Sequence, residues 1–251
     1  MCGRYASVAT TADLRLEFVL DEVIGPDLAP SWNIAPTDPV RVVVQRESRA
    51  GDSVPPVRQL RTMRWGLVPS WSQTPARGAK MINARIETVS VKPAFKAAAA
   101  RRRALIPSLG YFEWQQTDDG KIPYFLHHPD RRLLAFAGLY ELWRDPERSA
   151  HDPDRWLWTC TIITRPATDL LGHIHNRSPV IVPAHLHEAW LTSAGDDAGV
   201  ARALLDQVPD AALQPDVVSA AVGNVGNNGP ELIEPVHAGR PNPERSGSAL
   251  G

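Results

Sequence analysis

Ala104-Leu105-Ile106-Pro107, Tyr111-Phe112-Glu113-Trp114, the segment 122–127 and the segment 133–139 follow one another along the chain. Each is short and rich in apolar or aromatic residues, which reads as strand. A turn at His128-Pro129-Asp130 joins the last two. Consecutive strands with no helix between them pair as neighbours, so this stretch sets the class as α+β with a mainly antiparallel sheet system. Trp156 to Thr164, β-branched and aromatic, adds another strong strand. Upstream, residues 3–9, Arg41 to Gln45 and Gln59 to Trp65 read as strands, and Pro179 to Val182 follows downstream. Helices are fewer. Thr10-Thr11 can cap one carrying Leu14, Leu16, Phe18 and Val19. Others are expected over Val91–Arg103, Ala167 to about Gly172, Ala184–Leu191 and Ala198–Leu205.

The connections carry much of the polar character. Residues 25–39, opening at Gly25-Pro26 and carrying Pro30, Pro36 and Pro39, read as an irregular loop. Residues 46–57 read as a hairpin loop and 144–155 as a charged loop. The loop 66–82 is long, and loops of that length are often functional. It carries Pro69 and Trp71. Residues 239–251 are Pro, Gly, Ser and Arg rich, which predicts disorder.

The 251 residues carry a net charge of −1, so no global basicity points to nucleic acid and any phosphate-binding surface must be local. The two cysteines, Cys2 and Cys160, argue against a disulfide scaffold or a four-cysteine zinc site and fit a reducing, cytoplasmic setting. No apolar run reaches membrane-spanning length and no signal peptide is visible, so no membrane association is expected. His173, His175, His185 and His187 do not have zinc-finger spacing, so no metal and no other cofactor is expected.

Met1-Cys2-Gly3-Arg4 begins the chain. Removal of Met1 would leave Cys2 with a free α-amine and a thiol, whose ordinary pKa values are about 8 and 8.5. Such a 1,2-aminothiol condenses with an aldehyde to a Schiff base, and the thiol then closes a thiazolidine. The plain alternative is an ordinary residue near a chain end.

Four further segments combine Gly, Pro, Trp and polar groups as a plain core would not require. They are Trp65-Gly66-Leu67-Val68-Pro69-Ser70-Trp71, Asn83-Ala84-Arg85-Ile86-Glu87-Thr88, Gly110-Tyr111-Phe112-Glu113-Trp114 and His175-Asn176-Arg177-Ser178-Pro179. Taken alone, Glu113 reads as a buried, paired carboxylate sooner than as an acid/base. Asn83 reads as a turn residue or a ligand, and Arg4 and Arg85 as solvated charges or phosphate contacts. Arg101-Arg102-Arg103 reads as a phosphate contact or as a helix end. The tryptophans are more often core than stacking surfaces, with Trp71 the best placed for contact.

With Met1-Cys2-Gly3-Arg4-Tyr5 and Trp32-Asn33-Ile34-Ala35-Pro36-Thr37, these segments resemble the SOS-response-associated peptidase (SRAP) family, in the family's order and from Cys2 to about Pro235. The resemblance implies one compact domain, here 1–238, built on a twisted barrel-like sheet with peripheral helices. It implies an abasic-site processing protein that captures the lesion in single-stranded DNA as a thiazolidine crosslink through Cys2 and so shields it. It also implies a monomer, with the replication machinery as a further partner. Cys2 would be the nucleophile, Asn83 a hydrogen-bonding anchor, Glu113 the acid/base beside the amine and His175 the proton shuttle at the sugar. Arg4, Arg85, Arg177, Pro69 and Trp71 would contact DNA. Hydrolase (autopeptidase) and lyase-like activities come with the family, and a cysteine peptidase or a non-catalytic single-strand binder is the competing reading. Ser178 stands where the family usually has Met, Ala104 where it often has Cys, and Tyr111-Phe112 reverses the commoner order.

Overall fold

Side chains alternate between the two faces of a strand, so a strand buried on both reads as an unbroken apolar run. Val40, Val42 and Val44 pack in one buried cluster and Val43 in another. The computed structural model describes residues 2–46, 55–167, 172–192, 195 and 197–236. In chain order its strands and helices are β1 (Arg4–Ser7), α1 (Thr11–Phe18), β2 (Glu22–Ile24), β3 (Ser31–Ile34), β4 (Pro39–Arg46), β5 (Val57–Trp65), β6 (Asn83–Arg85), α2 (Lys96–Arg101), β7 (Arg103–Ser108), β8 (Gly110–Thr117), β9 (Gly120–His127), β10 (Leu134–Arg144), β11 (Trp156–Pro166), β12 (Arg177–Pro179), α3 (His187–Leu191), α4 (Ala198–Gln207) and β13 (Gln214–Val217).

Strands β11, β10, β7, β4 and β5 are hydrogen-bonded in that order, and β5 pairs back onto β11. Five strands therefore close into a barrel, antiparallel except at the parallel β5–β11 seam. Closure leaves this ring no edge to protect. One alternating set of its side chains includes Val42, Met63, Trp65, Ile106, Phe136, Cys160 and Ile162. The other set, with Val43, Leu60, Leu105, Ala137 and Ile163, packs against the helices on the outside. The first set therefore fills the interior. A second, five-stranded sheet runs β13-β9-β8-β1-β3 and is antiparallel throughout. Its Tyr5 and Tyr111 stand edge-on to barrel residues: Tyr5 on Trp65 and Phe136, Tyr111 on Phe136. The first residues of the chain thus lie against one mouth of the barrel.

Several expectations need correction. The loop 25–39 contains β3, because Ser31–Ile34 pairs with β1 despite the flanking prolines. The helix over Val91–Arg103 shrinks to Lys96–Arg101, and Arg103 begins β7 instead. Arg103 is buried and its guanidinium donates to the carbonyls of Trp190 and Thr192, so tertiary bonding overrides helix propensity there. Arg102 pairs with Glu141 at 2.7 Å, which leaves Arg101 as the exposed member of the basic run. Thr10 does cap α1, with Asp13 completing a capping box, but Leu16 and Val19 are exposed while Leu14 and Phe18 are buried. The turn at 128–130 carries the chain from one sheet to the other, since β9 pairs with β8 and β13 while β10 pairs with β7 and β11. Most of the expected helix 167–172, most of the 46–57 hairpin loop and the 239–251 tail lie outside the described residues.

Candidate active site at the amino terminus

Strand β6 is only three residues long, yet it fixes the geometry of the site. It pairs in parallel with β11, Asn83 opposite Ile162 and Arg85 opposite Thr164. From there Asn83 Nδ2 donates a hydrogen bond of 2.8 Å to the Cys2 carbonyl. Asn83 Oδ1 is buried and has no hydrogen-bond partner among the described residues. A buried amide oxygen without a partner leaves an acceptor open to a donor.

Cys2 is fully buried. Burial, then the negative charge of Glu113, push its thiol well above the ordinary range, with the chain's terminal amine pulling the other way. Glu113 lies on β8, the strand that pairs with β1. It is 4% exposed, and burial raises its carboxyl to about 7 against the pull of the same terminal amine. His175 is half-buried, and burial, then that amine, depress its pKa. Its Nδ1 accepts from the Arg177 backbone N–H at 3.0 Å and lies 3.3 Å from the Arg177 carbonyl. Cys2, Asn83, Glu113 and His175, far apart in sequence, therefore gather around one chain terminus. A raised carboxyl, a lowered imidazole and a protonated thiol suit proton transfer at an amine more than a standing thiolate.

The residues expected to meet DNA divide. Arg85 is exposed. It shares a strand face with Asn83, two residues earlier. Trp71 is 54% exposed, with the Arg77 guanidinium 5.2 Å from its ring centre. Pro69 is buried and offers little surface to a ligand. Arg4 turns inward, donating to Asn33 Oδ1 at 2.7 Å and to the carbonyls of Val222 at 2.9 Å and Gly223 at 3.2 Å. Arg177 grips both carboxylate oxygens of Glu87, at 2.5 and 3.1 Å, and the Thr164 carbonyl at 2.6 Å.

The loop that carries Trp71 is anchored by two glycines. Gly66 has φ +125°, and a Cβ on it would stand 2.6 Å from the Gly78 carbonyl oxygen. The close approach ties the loop back onto the β5–β11 seam, where Gly66 N–H donates to the Cys160 carbonyl at 2.8 Å.

Some functional neighbours carried no readable role in the sequence. Tyr111 and Tyr5 are buried phenols raised by burial, and both feel the charge of Cys2. The reversed Tyr111-Phe112 order was the one signal for Tyr111, and Tyr5 stood only as part of the amino-terminal motif. Asn33 Nδ2 donates to the carbonyls of Val222, Asn224 and Asn227, an anchoring role visible only once residues 220–233 fold over β3. Among the described residues no group of three or more His, Cys, Asp or Glu converges to hold a metal, and no helix is long and apolar enough to cross a membrane.

The model of the SOS response associated peptidase (SRAP) family matches residues 1–225. The abasic site processing protein YoqW of Bacillus subtilis (strain 168) is 35% identical over 236 residues, which cover 93% of this chain and 99% of the relative. The abasic site processing protein HMCES of Gallus gallus is 31% identical over 274 residues, covering 96% of this chain and 80% of the relative. A crystal structure of a protein from Bacteroides thetaiotaomicron superposes with a TM-score of 0.74 at 20% identity, covering 94% of this chain and all of that one.

Proposed function

The chain belongs to the SOS response associated peptidase family, and from that premise we propose that it captures abasic sites in single-stranded DNA as a thiazolidine on Cys2. The observation that carries this reading is the hold of Asn83 on the Cys2 carbonyl, with Glu113 and His175 both coupled to the terminal amine. Removal of Met1 would move that amine onto Cys2.

The chemistry balances with one water lost. The carboxylate of Glu113 takes a proton from the ammonium, and the free amine adds to the C1′ aldehyde of the ring-opened sugar. Glu113 returns the proton as the carbinolamine hydroxyl leaves as water, which gives the Schiff base. The thiol then adds across the C=N bond. A carbon–sulfur bond forms, and the thiol proton ends on nitrogen. Because burial keeps the thiol protonated, the amine attacks first and sulfur second. His175 moves the proton at the sugar ring oxygen as the hemiacetal opens. This lesion processing is the enzymatic role we assign, and it needs no metal or cofactor.

Single-strand preference follows from surface chemistry. Arg85 stands roughly 7 Å along the strand face from Asn83, about one nucleotide step, which suits a phosphate next to the captured sugar. Trp71 offers a face to an unpaired base. Arg4 and Arg177 contribute by holding the site together, and Arg177 reaches a phosphate only by sharing its fork with Glu87. The test is Cys2→Ala, which abolishes crosslinking to an abasic oligonucleotide while leaving single-strand affinity in place. Unchanged crosslinking in that variant would refute the role.

A further inference from the structure

Glu87 and Arg177 sit on either side of one strand end, and neither role is explained by the chemistry at Cys2. Glu87 follows β6, and Arg177 opens β12, the two strands that flank the end of β11. Arg177 binds both oxygens of Glu87 and also the Thr164 carbonyl on β11, so its guanidinium ties β12 to β11 and to the turn that follows β6. Its side chain is 11% exposed while that of Glu87 is 43% exposed. The Arg177 backbone carries the two groups that meet His175 Nδ1, an N–H at 3.0 Å and a carbonyl oxygen at 3.3 Å.

These two groups ask for opposite tautomers. The N–H needs a lone pair on Nδ1, which places the ring proton on Nε2. The carbonyl needs a proton on Nδ1, which leaves Nε2 able to accept one. The position of the Arg177 backbone therefore bears on which nitrogen of His175 can take a proton. The charged groups that act on the ring include the chain's terminal amine and the Arg177 guanidinium itself. Glu113 reaches the ring through that amine.

We propose that the Glu87–Arg177 pair is a positioning device that sets the tautomer of His175. Its catalytic meaning rests on the abasic-site reading, but the tautomer can be read without DNA. The experiment is ¹⁵N NMR of the His175 ring nitrogens in the full-length protein across pH, for wild type, Glu87→Gln and Arg177→Lys. Crosslinking rates are measured alongside in these proteins and in His175→Ala backgrounds.

Glu87→Gln should change the Nδ1 and Nε2 shifts and slow crosslinking about tenfold, the scale on which partners that orient a histidine act. Glu87→Asp should restore both, and Glu87→Gln should add nothing to His175→Ala. Ring shifts identical to wild type in Glu87→Gln would overturn the proposal. So would an undiminished effect of Glu87→Gln in the His175→Ala background. If Glu87→Gln does not fold, Arg177→Lys keeps the charge and loses the two-pronged grip, and the same criteria apply to its ring shifts. If no protein crosslinks, the abasic-site reading fails while the NMR still decides the tautomer.

Discussion

Asn83 donates its side-chain N–H to the carbonyl of Cys2 over 2.8 Å. An amide carried on strand β6 thus holds the first described residue of the chain by its backbone and leaves the thiol and the terminal amine to the chemistry. A net hydrogen bond contributes about 0.5–1.5 kcal/mol, so Asn83→Ala should lower crosslinking roughly two- to tenfold. Measured by denaturing gel, the loss should appear in the rate at saturating DNA, with the melting temperature close to wild type. A wild-type rate would remove the clamp from the mechanism.

Glu113 supplies a pH signature. Its carboxyl sits at about 7 rather than the usual 4.5, because burial disfavours the charged form. The folded state therefore holds this proton more tightly than the unfolded chain. The stabilisation is complete below the unfolded value and fades as pH rises through about 7. The full swing is about 3 kcal/mol. Glu113→Gln should therefore gain stability relative to wild type between pH 4 and pH 8, read by urea unfolding at both. A constant difference would show that Glu113 titrates normally.

The same group shapes the rate. Crosslinking by the wild type should rise through pH about 7 as Glu113 ionises and becomes able to accept the amine proton. In Glu113→Gln the rise should move to the titration of the amine itself, about 7.7–8.0 for an ordinary α-amine. Identical profiles would exclude Glu113 as the base.

Trp71 is 54% exposed in a loop anchored by Gly66 and Gly78. Trp71→Ala should weaken single-stranded oligonucleotide binding by about 1–3 kcal/mol. Fluorescence anisotropy would read this, with stability and the crosslinking rate at saturating DNA unchanged. Wild-type affinity would place the strand elsewhere on the surface.

Asn33 is the structural counterpart of Asn83. It gathers Val222, Asn224 and Asn227 by their carbonyls and accepts from Arg4. Asn33→Ala would leave several of these groups unsatisfied, at a cost of about 1–3 kcal/mol for each buried one. Hydrogen exchange should rise selectively over 220–233. A uniform rise would mean that Asn33 supports the whole fold rather than this segment.

The fold was legible where local pattern and tertiary context agree. Ala104–Pro107, Tyr111–Glu113, Leu134–Tyr140 and Thr159–Thr164 are strand segments whose successive residues are buried on both faces. The barrel was expected only from the family resemblance and not from local pattern, because the parallel β5–β11 contact joins Arg64 and Trp65 to Thr159 and Cys160 across nearly a hundred residues. β3 was hidden because its Pro-rich flanks say loop while its pairing with β1 says strand. At the site, motif residues named Cys2, Asn83, Glu113 and His175, and the structure gathers them at one terminus. The inward turn of Arg4 and the grip of Arg177 on Glu87 could not be read, because an arginine looks the same in sequence whether its partner is a phosphate or a carboxylate.

The most direct measurement mixes the purified protein, with Met1 removal established by intact mass, with a single-stranded oligonucleotide carrying one abasic site. The products are run on a denaturing gel and weighed. Capture through Cys2 predicts a shifted band whose mass is that of the protein without Met1 plus the uncut DNA, less one water. Absence of that band from protein shown to lack Met1 would contradict it.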